Sequence, residues 1–239
     1  DGHNDRVRSV ALSPDGTMLA TGGFDRRILL WDAQTGDLLK DLPWPHEHSV
    51  IQVAFSPDGK KLAAVDGGNM FVLWNVPAGT MQHEPIILPG GDIVLIGLAF
   101  SPDGRYVAAG DFAGNITVFD ANTGDKICSK LQAHNGWALS LAFAPDSKTL
   151  ASGGTGGDIR LWDVSKLPSQ CIIEIEPQGE KTVAHKAWVT SLLYTSDGKM
   201  LISGSSDNTV KFWDTTTRAE IGDPLIGQET QIWGLAFYP

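Results

Sequence analysis

One short segment recurs five times along this chain at nearly even spacing, so the chain must fold as a series of equal units. The copies read VRSVALSPDG from Val7, VIQVAFSPDG from Val50, LIGLAFSPDG from Leu95, ALSLAFAPDS from Ala138 and VTSLLYTSDG from Val189. A sixth copy starts at Ile232 as IWGLAFYP. Each full copy is followed by a second marker: Trp31-Asp32, Trp74-Asn75, Phe119-Asp120, Trp162-Asp163 and Trp213-Asp214. Successive markers lie 43, 45, 43 and 51 residues apart.

A period of about 40–45 residues is that of four-stranded propeller blades. The local pattern agrees. Apolar runs rich in β-branched and aromatic residues, such as Ile28–Trp31 and Val210–Trp213, read as strands. The SPDG step between such runs is a hairpin signal. No stretch carries a helical period. The 27 glycines punctuate predicted turns.

These markers resemble the WD-repeat family, whose repeats run from a Gly-His pair to a Trp-Asp pair. The resemblance covers nearly the whole chain and implies an all-β propeller of four-stranded antiparallel blades. It places the repeats at about 3–45, 46–90, 91–133, 134–184 and 185–227, with a partial one at 228–239, in a single domain. Five blades plus the first strand of a sixth leave a strand without a slot in a five-bladed ring. The expectation is therefore an incomplete arc of a seven-bladed ring, open to self-association.

The resemblance also implies a buried hydrogen-bonded tetrad in each blade. Blade one carries it in full as His3, Thr21, Asp25 and Trp31, and blade five as His185, Ser203, Asp207 and Trp213. Blade four has His134, Ser152 and Trp162, with Gly156 where the Asp belongs. Blade two keeps His46 and Trp74 but has Ala64 and Gly68; blade three has Gly91, Ala109, Ala113 and Phe119. An indole N–H only donates, while a hydroxyl can accept and pass a bond on. Trp74 should therefore find a water or a backbone carbonyl, whereas Phe119 needs nothing. With Cys171–Ile175 as the outer strand of blade four, most of its extra length falls at Glu176–Val183.

Partner-contacting side chains in this family lie on the top face, at positions that here are Arg6, Arg8, Phe24, Phe112, Trp137, Trp188, Thr190 and Trp233. Trp and Arg are the side chains most enriched in interface hot spots. Trp137, Trp188 and Trp233 are expected to form one patch that anchors a peptide or loop of a partner protein.

Composition narrows the function further. The net charge is −10 and no Lys/Arg run occurs, which argues against nucleic acid and anionic membrane as partners. Two cysteines, Cys128 and Cys171, are too few for a disulfide scaffold and point to a reducing, cytoplasmic setting. His46-Glu47-His48 lacks further ligands at a recurring spacing, so no metal is expected. The Gly-rich Ser152–Gly157 stretch lacks the GK[ST] ending of a phosphate loop. No nucleophile–base pair is visible, and neither an enzyme nor a cofactor is expected. The reading is an interaction scaffold; the alternative is the regulatory repeat domain of a larger signalling enzyme.

Overall fold

The computed structural model describes residues 2–45, 47–88, 94–130, 132–174, 184–226 and 230–236. Each repeat forms one antiparallel sheet whose strands follow in chain order. Repeat one comprises β1 (Val7–Leu12), β2 (Met18–Gly23), β3 (Ile28–Asp32) and β4 (Leu38–Leu42). Repeat two has β5 (Val50–Phe55), β6 (Lys61–Asp66) and β7 (Met70–Asn75), and its outer strand is split into β8 (Thr80–Met81) and β9 (Ile86–Ile87). Both pieces pair with β7. Repeat three has β10 (Leu95–Phe100), β11 (Tyr106–Asp111), β12 (Ile116–Asp120) and β13 (Lys126–Lys130). Repeat four has β14 (Ala138–Phe143), β15 (Thr149–Gly154), β16 (Ile159–Asp163) and β17 (Ile173–Glu174). Repeat five has β18 (Val189–Tyr194), β19 (Met200–Ser205), β20 (Thr209–Asp214) and β21 (Leu225–Ile226). Among the described residues there is no helix, and hence none long and apolar enough to cross a membrane.

Contacts divide the chain into two compact units, Asp1–Ala109 with Phe119–Lys126, and Gly110–Val118 with Ile127–Pro239. The division runs through the third repeat. In the first unit the core is layered between sheets: Ala20, Ile28 and Leu30 meet Val50, Val53 and Trp74, and Phe71 stacks on Phe119 at 4.2 Å. In the second, Ala151 packs with Val189, Leu192 and Leu201.

Strand packing explains a glycine that recurs inside the second strand. A Cβ at Gly22 would lie 2.5 Å from Val50 Cγ1, one at Gly153 the same distance from Val189 Cγ1, and one at Gly110 2.3 Å from the Ala138 carbonyl oxygen. The first strand of each following repeat sits directly on this notch, so a side chain has no room. Ser9 Oγ reinforces the contact by accepting the Val53 N–H at 3.1 Å.

The turns repeat as faithfully as the strands. In the SPDG turn of repeat one, Ser13 donates to Asp15 at 2.6 Å, and Asp15 accepts the Thr17 N–H. The Asp of the Trp-Asp marker caps the next turn: Asp32 accepts from the Gln34 and Thr35 amides, as Asp214 does from those of Thr216 and Thr217. These bonds hold both carboxyls below the usual carboxylate range.

The sixth copy departs from expectation. Its described residues, 230–236, form no strand. The segment still docks on repeat five, where the Leu235 N–H donates to Ser191 Oγ at 3.1 Å. The insertion at 176–183 lies outside the described residues.

Candidate functional site

Two constellations combine chemistry-bearing side chains. The first is the buried tetrad. In repeat five the Trp213 indole N–H donates to Ser203 Oγ at 2.8 Å. Ser203 Oγ lies 2.7 Å from His185 Nε2, and His185 Nδ1 lies 3.1 Å from Asp207. The hydroxyl therefore donates to Nε2 and the Nδ1–H donates to the carboxylate, so that each proton meets one acceptor. Repeat one repeats this with Trp31, Thr21, His3 and Asp25 at 2.8, 2.7 and 2.9 Å.

Repeat four completes the tetrad in a way the sequence alignment missed. Trp162 donates to Ser152 at 2.8 Å, and Ser152 Oγ lies 2.6 Å from His134 Nε2. The missing carboxylate comes from Asp158, two residues after Gly156, with Oδ2 2.8 Å from His134 Nδ1 and 2.9 Å from Arg160 Nε. In repeats two and three the turn carboxylate shifts the other way. Asp66 accepts the Gly68 and Met70 amides, and Asp111 accepts those of Ala113 and Asn115. Trp74 Nε1 is buried without an acceptor among the described residues; its indole stacks on Trp44 at 5.6 Å. His46 and Gly91 lie outside the described residues.

The order Ser–His–Asp is that of a hydrolytic triad, but the hydroxyls cannot act as one. Ser152 and Ser203 are 0% exposed, and each oxygen already accepts an indole proton. A nucleophile must reach substrate. The tetrads are internal struts.

Their ionisation makes those struts acid-sensitive. Burial opposes the charge on Asp158, but the His134 N–H and the Arg160 guanidinium outweigh it and hold the carboxyl at about 2. Asp207 is likewise held at about 2, where the Thr209 hydroxyl, the Lys186 N–H and His185 overcome burial. Burial lowers the His185 imidazole below its usual 6.5, against the pull of Asp207. Below 6.5 the unfolded chain takes up the His185 proton more readily than the folded one, so stability falls with pH there. The carboxylates contribute fully above 3.8, and their contribution is lost as pH falls towards 2. The melting temperature is expected to start falling below pH 6.5 and to fall more steeply below pH 4; an unchanged midpoint from pH 7 to 4 would contradict this.

The second constellation is aromatic and partly exposed. Phe112, in the turn between β11 and β12, stacks on Trp137, just before β14, with centroids 3.9 Å apart and planes at 6°. Trp137 in turn meets Trp188, just before β18, at 5.3 Å and 52°. Phe112 is 36% exposed and Trp188 38%. Both tryptophans are held by paired backbone bonds. Trp137 N–H donates to Thr155 Oγ1 at 3.0 Å while its carbonyl accepts from Thr155 N–H. Trp188 is bound to Ser206 in the same way, at 3.1 and 3.0 Å.

The other expected contact residues are placed as follows. The Arg6 guanidinium lies 4.6 Å over the Phe24 ring, and Arg8 is exposed. Arg8 and Thr190 occupy the position where the first-strand register slips, a bulge that re-aims the side chain. The Thr190 hydroxyl donates to the Gly204 carbonyl at 3.0 Å and also reaches that of Ile232. Trp233 is 57% exposed and makes no ring contact with the other two tryptophans among the described residues. Those residues hold no cluster of metal-binding side chains.

Cys128 and Cys171 form a disulfide, with Cα atoms 5.4 Å apart. This removes the ground on which two cysteines were read as a sign of a reducing compartment.

Comparison with known proteins agrees with the repeats. The model of the WD domain, G-beta repeat, matches residues 1–32, 37–75, 88–120, 125–163 and 178–214. The small ribosomal subunit protein RACK1y of Oryza sativa subsp. japonica is 50% identical over 42 residues, 18% of this chain and 12% of that protein. Protein Mut11 of Chlamydomonas reinhardtii is 54% identical over 35 residues, 15% of this chain and 10% of its own length. The matched stretches thus span only a small part of those relatives. The crystal structure of the computationally designed Ika8 protein superposes with a TM-score of 0.78 at 24% identity, over 100% of this chain and 67% of that one. This likeness speaks for the fold alone.

Proposed function

The chain belongs to the WD-domain, G-beta repeat family, and from that premise we propose that it is a protein-interaction scaffold whose repeats three to five grip a peptide or loop of a partner protein. The observation that carries this is the contiguous ring set Phe112–Trp137–Trp188, with Phe112 and Trp188 exposed, Trp137 half-buried between them, and both tryptophans fixed by backbone bonds. Soluble proteins seldom leave touching aromatics open without use. Rigid aromatics provide contact area at little entropic cost. The tetrads and capped turns supply the stiffness beneath them. An acidic chain with net charge −10 fits a protein partner better than a nucleic acid or an anionic membrane.

The test is Trp137→Ala combined with Trp188→Ala. The immobilised chain is used to capture partners from its source cells, and the affinity of the main captured protein is then measured. Loss of two anchors should weaken it by at least about thirtyfold, the effect of a single hot-spot residue. The melting temperature should fall by no more than several degrees, because Trp188 is exposed and Trp137 is only half-buried. Unchanged affinity would refute the patch.

A further inference from the structure

We propose that Cys128–Cys171 is a modification site for small thiols and their disulfides, a reversible clip on the outer strand of repeat four. Cys128 lies on β13 and Cys171 two residues before β17, so the bond ties the outer strand of repeat three to the segment leading into the outer strand of repeat four. Both cysteines are partly exposed, within reach of a small reductant.

The clip sits beside a short ladder. Among the described residues β17 pairs with β16 through Trp162↔Glu174 and Asp163↔Ile173. The approach, residues 164–172, is a turn-rich stretch tied by bonds such as Gln170 N–H to the Lys166 carbonyl. The disulfide adds a covalent anchor to this outer segment. Without it, β17 can leave β16 and open an edge that other strands could pair with.

The chemistry balances as thiol–disulfide exchange. A small thiolate attacks one cysteine sulfur and expels the other as a thiolate. A second small thiolate then attacks the small-molecule sulfur of the mixed disulfide. Two small thiols lose two electrons and two protons, one small disulfide leaves, and two cysteine thiols remain. The reverse reaction restores the clip.

The experiment uses the intact chain equilibrated with glutathione disulfide or with dithiothreitol. Intact mass reports the gain of two hydrogens, and hydrogen–deuterium exchange reports the strand. Amides in 172–174 should exchange at least about tenfold faster after reduction, while β1 to β4 stay unchanged. The Cys128→Ser, Cys171→Ser double variant should exchange at the reduced rate in both buffers. Three results would each overturn the proposal: equal exchange with and without reductant, failure of glutathione disulfide to close the pair, or a double variant that still responds to dithiothreitol.

Discussion

Ser152→Ala is expected to destabilise the protein by about 2–6 kcal/mol, far beyond the loss of one oxygen atom. The hydroxyl accepts from Trp162 and donates to His134, and all three side chains are buried. Removing it orphans an indole N–H and an imidazole nitrogen, each costing about 1–3 kcal/mol when left unpaired. Adding Trp162→Phe to Ser152→Ala should recover part of that loss, since the ring then has no proton to place. Repeat three already carries this solution, with Ala109 and Phe119 at the same positions. A double-mutant cycle by denaturant unfolding measures the coupling. Additive losses would mean that the tetrad is not a linked chain.

Val53→Glu is expected to cost several kcal/mol and to leave little folded protein, whereas Gln34→Glu should shift stability by no more than about 0.5 kcal/mol. Val53 is 3% exposed because the first strand of repeat two rests on the second strand of repeat one; Gln34, in the turn after β3, is exposed. An unpaired carboxylate at the buried site loses its hydration, while at the exposed site it keeps it. Thermal melts of both variants decide this. Equal effects at the two sites would show that the exposure difference does not exist in solution.

Much of this was legible in the sequence because it is local and periodic. Trp markers, hairpin turns and the tetrads of repeats one and five are set by short-range spacing. What could not be read depends on geometry between positions. Asp158 replaces the absent turn Asp of repeat four because a carboxylate two residues later reaches the same imidazole, and alignment by offset cannot see this. The Cys128–Cys171 bond joins two positions 43 residues apart, one repeat period, which only radial neighbours would bring together. A one-period spacing was the available clue. The split of β8 and β9 was hidden because the outer strand has no marker residues. The stacking of the Trp74 indole on Trp44 was likewise not visible in the repeat offsets. In the candidate site, Trp137 and Trp188 could be read from their repeat position, but Thr155 and Ser206 as their backbone anchors could not.

The most direct measurement of the central claim is site-specific photo-crosslinking. A photoreactive phenylalanine analogue is placed at Phe112 or Trp188, and at Leu39 on the outer strand of repeat one as a control. The account predicts crosslinks to the captured partner from positions 112 and 188 and none from 39. Crosslinking from Leu39 with silence at the other two would contradict it.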